Sequence, residues 1–407
     1  MKKYKLGELI EVLRGASLKG DFYAASGKYI RLTCGNFDYR NNSFKENTSK
    51  DNLFYIGEFK AEFLLEKGDL ITPLTEQAIG LLGSTAWIPE SGKYIQSQDI
   101  AKITCKEELL DKKFAYYLIS SNMVKQQLSA AAQQTKIRHT SPDKIKDCTV
   151  WLPSLEEQKQ IGQLLFDLDR KIELNRAINH NLEAMAKQLY DYWFVQFDFP
   201  DENGKPYKSS GGKMVWNEKL KREIPEGWNI VFAKDVCPII TGKEDANFST
   251  THGQYPFFTC AKENLFCDTY AFDESSILIA GNGDFNVKHY TGKFNAYQRT
   301  YVLTPNPEYY ACLFFAANSK IGQFKDNSNG SIIKFITKGD VENIELYKSE
   351  NKHLYNTLNS LLFSIEQNNQ EISSLTKLRD EMAPLLMNGQ IKVGVERSRL
   401  NYDLSND

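Results

Sequence analysis

The amino-acid sequence predicts an α+β fold in which two β-rich globular domains alternate with two long helices. Three observations predict it. The helical segment Ile172-Glu-Leu-Asn175 recurs as Ile365-Glu-Gln-Asn368, about 193 residues later. The strand-rich segment Gly92-Lys-Tyr-Ile-Gln-Ser-Gln98 recurs as Gly292-Lys-Phe-Asn-Ala-Tyr-Gln298. Apolar residues follow alternating three- and four-residue steps through both helical segments, which is the pattern of a coiled-coil seam.

This order, globule, helix, globule, helix, suggests a protein that reads two different things at a fixed separation. A single active site would not need that plan, and the repeat is far too long for a solenoid. The segments that we expect are a first globule (1–152), a central helix (153–197), a connector (198–227), a second globule (228–348), a distal helix (349–389) and a polar tail (390–407).

The central helix is predicted from about 155 to 194, with Ser154-Leu-Glu-Glu157 as a capping-box pattern at its start, and Gly389 is a predicted cap at the end of the distal helix. Neither long helix can stand alone in water, because each has an apolar stripe to bury. We therefore expect the two helices to pack antiparallel, since a globule lies between them. The predicted seam residues are Leu165, Leu168, Ile172, Asn175, Leu182 and Leu189 in the central helix, with Leu358, Leu361, Ile365, Asn368, Ile372 and Leu375 in the distal helix.

Asparagines in such a seam set the register of two helices at some cost in stability. The alternative is that Asn175 and Asn179 face solvent at a kink. Both interpretations are compatible with the sequence.

The amino-acid composition limits the classes of function that the protein can have. The 407 residues suggest two to four domains, and the net charge of −2 gives no bulk support to nucleic-acid binding, which would need local patches or a basic partner. No run approaches the roughly 18 apolar residues of a membrane span, and the N-terminus does not resemble a signal peptide. The seven cysteines lack Cys-x-x-Cys spacing. We expect a cytoplasmic protein with reduced thiols, no membrane contact and no zinc site.

Motifs for catalysis are not found, so we expect no catalytic, cofactor-binding or metal-binding residue. Asn306-Pro-Glu-Tyr309 departs from the Asn-Pro-Pro-Tyr of amino-methyltransferases and is better interpreted as a turn between a strand and a helix. Residues 281–284 (Gly-Asn-Gly-Asp) lack the third glycine of a dinucleotide fingerprint and favour a hairpin turn. The five histidines are scattered without metal-ligand spacing.

The remaining hypothesis is that exposed polar and basic side chains in the loops recognise a ligand. Glutamine can read adenine and arginine can read guanine in the major groove, while lysine contacts phosphates. For each candidate the alternative is a solvated charge or a structural hydrogen bond in a turn. The candidate DNA-binding residues are Gln98, Lys136, Arg138, Lys243, Lys262, Lys288, Gln298, Arg299 and Lys334.

Five segments, in their order along the chain, resemble one family, the specificity subunits of Type I restriction-modification systems. They are Trp151-Leu-Pro-Ser-Leu-Glu-Glu-Gln158, Ile172-Glu-Leu-Asn-Arg176, Trp193-Phe-Val-x-Phe197, Gly204-Lys-Pro-Tyr-Lys-Ser-Ser-Gly-Gly-Lys-Met214 and Glu223-Ile-Pro-Glu-Gly-Trp228. The resemblance covers almost the whole chain. One departure is that the second globule is about 30 residues shorter than the first.

The resemblance implies two α/β target-recognition domains joined by two antiparallel coiled-coil helices with pseudo-two-fold symmetry. Each domain would bind one half of a split site in double-stranded DNA, and the helices would set the spacer length. The subunit would be non-catalytic. Two modification subunits would use S-adenosylmethionine to methylate adenine, and restriction subunits would use ATP and Mg²⁺ to translocate and cleave DNA. The alternatives are a coiled-coil scaffold that binds only protein and the specificity part of a methyltransferase-only system.

Overall fold

The computed structural model describes residues 1–39, 41–49, 51–76, 80–131, 138–251, 253–283, 285–327 and 334–394. They form two compact units. Unit 1 comprises residues 1–172 and the described residues from 374 onward, and unit 2 comprises residues 173–373. The division falls inside both long helices.

Unit 1 mixes short strands with helices. Its strands are β1 (Lys2–Lys5), β2 (Ile10–Arg14), β3 (Tyr23–Ala24), β4 (Tyr29–Arg31), β5 (Phe37–Asp38), β6 (Ser43–Phe44), β7 (Phe54–Tyr55), β8 (Leu70–Pro73), β9 (Thr75–Glu76), β10 (Ala86–Trp87), β11 (Tyr94–Ile95), β12 (Ile100–Cys105), β13 (Arg138–His139) and β14 (Thr149–Leu152). Its helices are α1 (Leu6–Leu9), α2 (Lys112–Ser120), α3 (Asn122–Ala131), α4 (Pro142–Lys146) and the first half of the central helix, α5 (Leu155–Tyr190).

Two four-stranded sheets form the body of unit 1. One is antiparallel in the order β10-β8-β12-β2, and the other has the order β11-β4-β7-β3 with a parallel β11–β4 pair. Separately, β1 pairs with β14 from Lys2–Leu152 to Lys5–Thr149, which joins the start of the globule to its end. A core that includes Leu6, Phe114 and Leu118 packs against the central helix through Leu165.

Unit 2 has fewer and longer strands. They are β15 (Met214–Asn217), β16 (Arg222–Pro225), β17 (Asn229–Phe232), β18 (Ile239–Thr241), β19 (Tyr255–Phe258), β20 (Leu265–Cys267), β21 (Phe272–Ala280), β22 (Val287–Ala296), β23 (Thr300–Leu303) and β24 (Glu345–Lys348). Its further helices are α6 (Ala233–Val236), α7 (Tyr310–Asn327), α8 (Lys338–Glu342) and the first part of the distal helix, α9 (Lys352–Met387).

The main sheet of unit 2 has six strands in the order β18-β23-β21-β22-β19-β20, with β19 parallel to β22. The strands β21 and β22 are antiparallel neighbours, so residues 281–283 lie at a hairpin connection, as the sequence predicts for 281–284, whose last residue lies outside the described residues. The first and last strands of the globule, β17 and β24, pair from Asn229–Lys348 to Phe232–Glu345, as β1 and β14 do in unit 1.

The repeated sequence segments form the same parallel strand pair in each unit. In unit 1, Ile95 lies opposite Arg31, and in unit 2 Asn295 lies opposite Phe257. Ile95 and Asn295 hold the same place in the repeated segments 92–98 and 292–298, and their partners Arg31 and Phe257 each lie two residues before a Thr-Cys pair, so strand register is preserved although the paired residues differ.

A glycine is required beside this pair in both units. The amide of Gly15 donates to Ile100 O at 3.0 Å, and the amide of Gly242 donates to Thr300 O at 3.2 Å. A Cβ on Gly15 would collide with the carbonyl oxygen of Ser97, and one on Gly242 would collide with that of Ala296. Only glycine allows the backbone to approach so closely.

Short polar side chains start several helices. Asp111 accepts from Phe114 N at 2.9 Å before α2, and Thr337 accepts from Asp340 N at 3.3 Å before α8. Ser154 and Glu157 exchange hydrogen bonds at 3.1 and 3.3 Å, which is the capping box that the sequence predicts before the central helix.

The two long helices run antiparallel, because within unit 2 Asn175 contacts Glu371 while the later residue Asn179 contacts the earlier Ile365. The α-helical part of the central helix ends at Tyr190 and continues as a π-helical turn over Asp191–Val195. Gly389 follows the distal helix with a φ of 69°, which fits the predicted glycine cap. Within the described parts of the chain, the helices are too short or too polar to cross a membrane.

Candidate nucleic-acid interface

Five loop segments of unit 2 are joined by hydrogen bonds into one surface, which we call the unit 2 loop surface. Gln298 N donates to Glu244 O at 2.9 Å, and Gly281 N donates to Arg299 O at 2.8 Å. The segments are 242–245, 259–264, 281–283 with 285–286, 297–299 and 334–336.

Two further bonds complete this network. Asn286 Nδ2 donates to Cys260 O at 2.9 Å, and Gly283 N donates to Lys334 O at 3.2 Å. Loops that are separate in sequence thus form one continuous surface at the ends of the strands in the six-stranded sheet.

All six candidate residues predicted in the second half lie on this surface or at its base. Lys243, Lys262, Gln298, Arg299 and Lys334 are exposed, and Lys288 is half-buried. The structure thus brings together residues that span more than 90 positions of sequence.

Some of these side chains also have internal partners. Gln298 Nε2 donates to Asp245 Oδ1 at 2.5 Å, and Lys334 Nζ donates to Lys325 O at 2.8 Å. Gln298 and Lys334 thus form structural hydrogen bonds, which is the alternative role that the sequence left open for these candidates. They hold the polar heads at the surface without removing them from solvent, because both residues are exposed.

Lys288 differs from the other candidates, because its ammonium group ties two segments together. Its Nζ donates to Ala261 O at 2.7 Å and to Asn264 Oδ1 at 2.8 Å, and it lies 5.8 Å from the centre of the Phe258 ring. Burial lowers the pKa of Lys288 to about 8. Its main role in this geometry is to hold the 259–264 loop against β22.

Unit 1 carries a corresponding surface, formed by 33–36, 74–76, 96–99 and 138–140, which we call the unit 1 loop surface. Thr140 N donates to Leu74 O at 2.8 Å, and Leu74 N donates to Asp99 O at 2.7 Å. Cys34 Sγ donates to Thr75 O at 3.3 Å, much as Cys260 Sγ donates to Arg299 O in unit 2.

The structure shows less of the three DNA-binding candidates that the sequence predicts in unit 1. Gln98 is exposed on the unit 1 loop surface, and its carbonyl accepts from Arg14 Nε at 2.8 Å. Arg138 lies in β13 with its backbone opposite Glu76. Lys136 lies outside the described residues.

The two loop surfaces share a backbone frame but differ in side chains. Unit 2 presents Lys243, Lys262, Lys334 and Arg299, interspersed with the acidic side chains of Asp245 and Glu263. Unit 1 presents Gln98 and a cluster in which the Thr75 hydroxyl lies 3.0 Å from Asp99 Oδ1 and 3.2 Å from His139 Nδ1. Sequence reasoning missed His139, because a lone histidine in a loop has no distinguishing pattern.

The sequence also gives no sign of a buried pair of titratable side chains at the base of unit 2. His289 on β22 and Glu366 on the distal helix lie with 3.8 Å between Nδ1 and Oε2. Burial lowers the pKa of His289 to about 4 and raises that of Glu366 to about 7. These residues are 77 positions apart, and only the folded structure brings them together.

The predicted seam residues are all buried or half-buried, and hydrogen bonds place Asn175 and Asn368 between the two long helices. The buried ones are Leu165, Ile172, Asn175, Leu358 and Ile365. The half-buried ones are Leu168, Leu182, Leu189, Leu361, Asn368, Ile372 and Leu375. Asn175 and Asn179 are each 6% exposed, so they do not face solvent.

Among the described residues, we find no cluster of three or more His, Cys, Asp or Glu side chains placed to hold a metal ion. The seven cysteines are free thiols.

Comparisons with known proteins identify the family. Residues 1–184 and 225–377 match the family model described as the Type I restriction modification DNA specificity domain. The chain is 37% identical over 176 residues to the Type I restriction enzyme EcoDI specificity subunit of Escherichia coli, a match that covers 42% of this chain and 40% of that protein. It is 22% identical over 308 residues to the MjaIX specificity subunit of Methanocaldococcus jannaschii, covering 69% of each chain.

A solved structure shares the fold. It is the crystal structure of the Type I restriction-modification system S subunit from M. genitalium, with a TM-score of 0.60, 18% identity and 95% coverage of both chains. This likeness confirms the predicted fold class, and the family model confirms the resemblance drawn from the sequence motifs. Since the family model matches one stretch in each half, the chain belongs to the Type I restriction modification DNA specificity family.

Proposed function

We propose that this chain selects the DNA sites of a Type I restriction-modification complex by reading one half-site with each unit. The observation that carries the proposal is the pair of loop surfaces. Both rest on the same parallel strand pair and the same close glycine contact, yet they expose different side chains. Two copies of one frame with different surfaces fit the recognition of two different sequences.

In this proposal the domains follow the scheme expected from the sequence. Residues 1–152 and 228–348 are the recognition domains, and 153–197 and 349–389 are the helices that set the spacer length. Residues 198–227 connect the halves, and 390–407 form a tail.

The exposed residues of the unit 2 loop surface suit double-stranded DNA. Arg299 can donate two hydrogen bonds to guanine, and Gln298 can bond adenine if it exchanges its contact with Asp245. Lys243 and Lys262 are placed to neutralise phosphates, which carry no sequence information but fix the position of the protein. A local patch of this kind accounts for DNA binding by a chain whose net charge is only −2.

We propose further that the chain contributes recognition and no catalysis. Modification subunits would bind S-adenosylmethionine and methylate adenine, and restriction subunits would bind ATP and Mg²⁺. The chain itself would need no cofactor. Membership of a DNA specificity family supports this division of labour.

The long helices carry two candidate docking patches for the modification subunits. Met185 and Tyr192 are exposed on the central helix, and Leu378 and Leu385 are exposed on the distal helix. The two pairs occupy equivalent positions of the sequence repeat, since each partner lies 193 residues from its counterpart. Exposed apolar residues at equivalent positions fit two copies of one partner.

The test is to express the chain with its modification subunits and read the methylated DNA motif. A bipartite adenine-methylated motif should appear only when the chain is present. Arg299→Ala should relax or change one half-site and leave the other intact. Absence of any bipartite motif from an assembled complex would contradict the proposal.

A second measurement separates phosphate contacts from base contacts. Lys262→Ala should weaken binding to all sequences alike and lower the salt slope of the binding constant by about 1. The matched control is Lys219→Ala, which removes an exposed lysine on the connector hairpin of the same unit. If both variants behave alike, the unit 2 loop surface is not the DNA-binding surface.

A further inference from the structure

We propose that a layer of polar side chains between the long helices, two of them buried and three half-buried, determines which spacer length the protein accepts. The polar layer consists of Asn175, Asn179, Asn368, Asp169 and Arg379. It would do so by locking the register of the helices. This inference rests on the proposed role of the helices in setting the distance between half-sites.

Asn179 is the centre of the layer in unit 2. Its Nδ2 donates to Asn369 Oδ1 at 2.8 Å and to the backbone oxygen of Ile365 at 3.3 Å. Its Oδ1 accepts from Asn368 Nδ2 at 2.8 Å. One buried amide thus contacts two successive turns of the distal helix and uses both its donor and its acceptor groups.

Neighbouring turns add two more contacts between the helices, and one of these has a further partner in Tyr117. In unit 2, Asn175 Nδ2 donates to Glu371 Oε2 at 2.7 Å. In unit 1, Asp169 Oδ1 lies 2.6 Å from Arg379 Nη1, and Asp169 Oδ2 accepts from the hydroxyl of Tyr117 at 2.6 Å. Each contact joins a specific donor to a specific acceptor, so it exists in one register only.

Apolar packing between the two helices contributes less around the polar layer than it does nearer the globules. The core of unit 2 includes the central helix only from Leu182 onward, and the core of unit 1 includes it only up to Phe166. Ile172 is the buried apolar residue of the intervening stretch, among the residues that the structure describes. A leucine seam tolerates a slip, because one leucine replaces another, whereas buried amides do not.

A slip by one heptad shows the difference. In one direction, Asn179 would meet Leu361 and Leu362 in place of Asn368 and Asn369, which leaves its buried amide without side-chain partners. In the other direction, Asp169 would meet Leu386 in place of Arg379, which leaves a carboxylate unpaired.

The same displacement matters for DNA. Seven helical residues span about 10.5 Å, and base pairs are spaced by 3.4 Å, so one heptad corresponds to about three base pairs of spacer. Even a single helical turn, about 5.4 Å, corresponds to one or two base pairs. A locked register therefore excludes neighbouring spacer lengths.

The test uses the full chain assembled with its modification subunits and a plasmid library. The library holds the two native half-sites separated by spacers that differ by single base pairs. The double variant Asn179→Leu/Asn368→Leu replaces the polar layer of unit 2 with apolar side chains. We expect both half-sites to remain, while the preference for the native spacer over its neighbours falls at least about tenfold.

Controls make each outcome decisive. Gln367→Leu, at an exposed position next to Asn368, should keep wild-type selectivity. Asn179→Ala/Asn368→Ala removes the same bonds without added volume and should relax selectivity too. Unchanged selectivity in both double variants, or failure of both to fold, would overturn the inference. If the wild-type complex methylates no bipartite site, the proposed function itself fails, and that result is distinguishable from the others.

Discussion

The Asp169 carboxylate on the central helix forms an ion pair with the Arg379 guanidinium on the distal helix, with 2.6 Å between Oδ1 and Nη1. Their side chains are only 19% and 13% exposed. Arg379→Leu leaves this carboxylate with the Tyr117 hydroxyl as its remaining side-chain partner in this contact. We expect a loss of about 1–3 kcal/mol in the free energy of unfolding, measured by urea denaturation.

The double variant Asp169→Asn/Arg379→Leu should regain most of that stability, because it removes the unpaired charge and keeps an acceptor for the Tyr117 hydroxyl. A double variant as unstable as the sum of both single variants would show that the pair is not energetically coupled.

The close backbone contacts of Gly242 lead to a second prediction. Gly242→Ala should destabilise unit 2 by about 1–3 kcal/mol, because its Cβ would lie 2.6 Å from Tyr297 O and closer still to Ala296. Gly322→Ala is the matched control, since Gly322 lies in α7 and a Cβ added there would meet nothing within 4 Å. That variant should gain up to about 1 kcal/mol from helix propensity. Equal thermal stability of the two variants would refute the packing argument.

The pair His289–Glu366 predicts a dependence on pH. Burial raises the pKa of Glu366 from 4.5 to about 7, so its contribution to stability is lost as pH rises through 7. Burial lowers the pKa of His289 from 6.5 to about 4, so its contribution is present above 6.5 and lost as pH falls towards 4. Between pH 4.5 and 6.5 the two effects oppose each other.

Glu366→Gln should therefore stabilise the protein at pH 8 by about 1–3 kcal/mol, because no buried carboxylate then ionises. Its stability should also rise with pH from 4 to 6.5, as only His289 still titrates at this site. The control His353→Gln changes an exposed histidine at the start of the distal helix. A pH profile of Glu366→Gln that matches the wild type would show that this carboxyl group does not titrate as described.

The docking patches predict a change in stoichiometry. Met185→Asp and Leu378→Asp each place a charge on one patch without touching the helix seam, so each should cost the complex one modification subunit. Native mass spectrometry should then report one copy where the wild type binds two. Glu183→Gln, on the opposite side of the central helix, should keep both copies. Loss of both copies from either single variant would contradict two separate patches.

Much of this architecture could be predicted from sequence, because the repeat carries it. The segments 92–98 and 292–298 occupy the same strand position in each unit, and the spacing of Leu165, Ile172 and Ile365 predicts the helix pair. Long helices obey a local periodicity, so their positions follow from the chain itself.

The remainder depends on contacts between distant segments. Many strands of unit 1 are only two residues long, as in β5 and β9, and a pattern of period two cannot be recognised over that length. Lys288 is a predicted DNA contact, but its hydrogen bonds to Ala261 and Asn264 give it the structural role of holding a loop in place. No local sequence signal distinguishes these two roles.

The most direct test of two independent readers exchanges one of them. Residues 1–152 would be replaced by the corresponding segment of a relative with a different target, and the chimera would be expressed with the same modification subunits. Sequencing of methylated DNA then reads the motif. We predict that one half-site changes while the other half-site and the spacer length stay the same. A chimera that assembles and methylates DNA, but changes both half-sites or neither, would contradict the account.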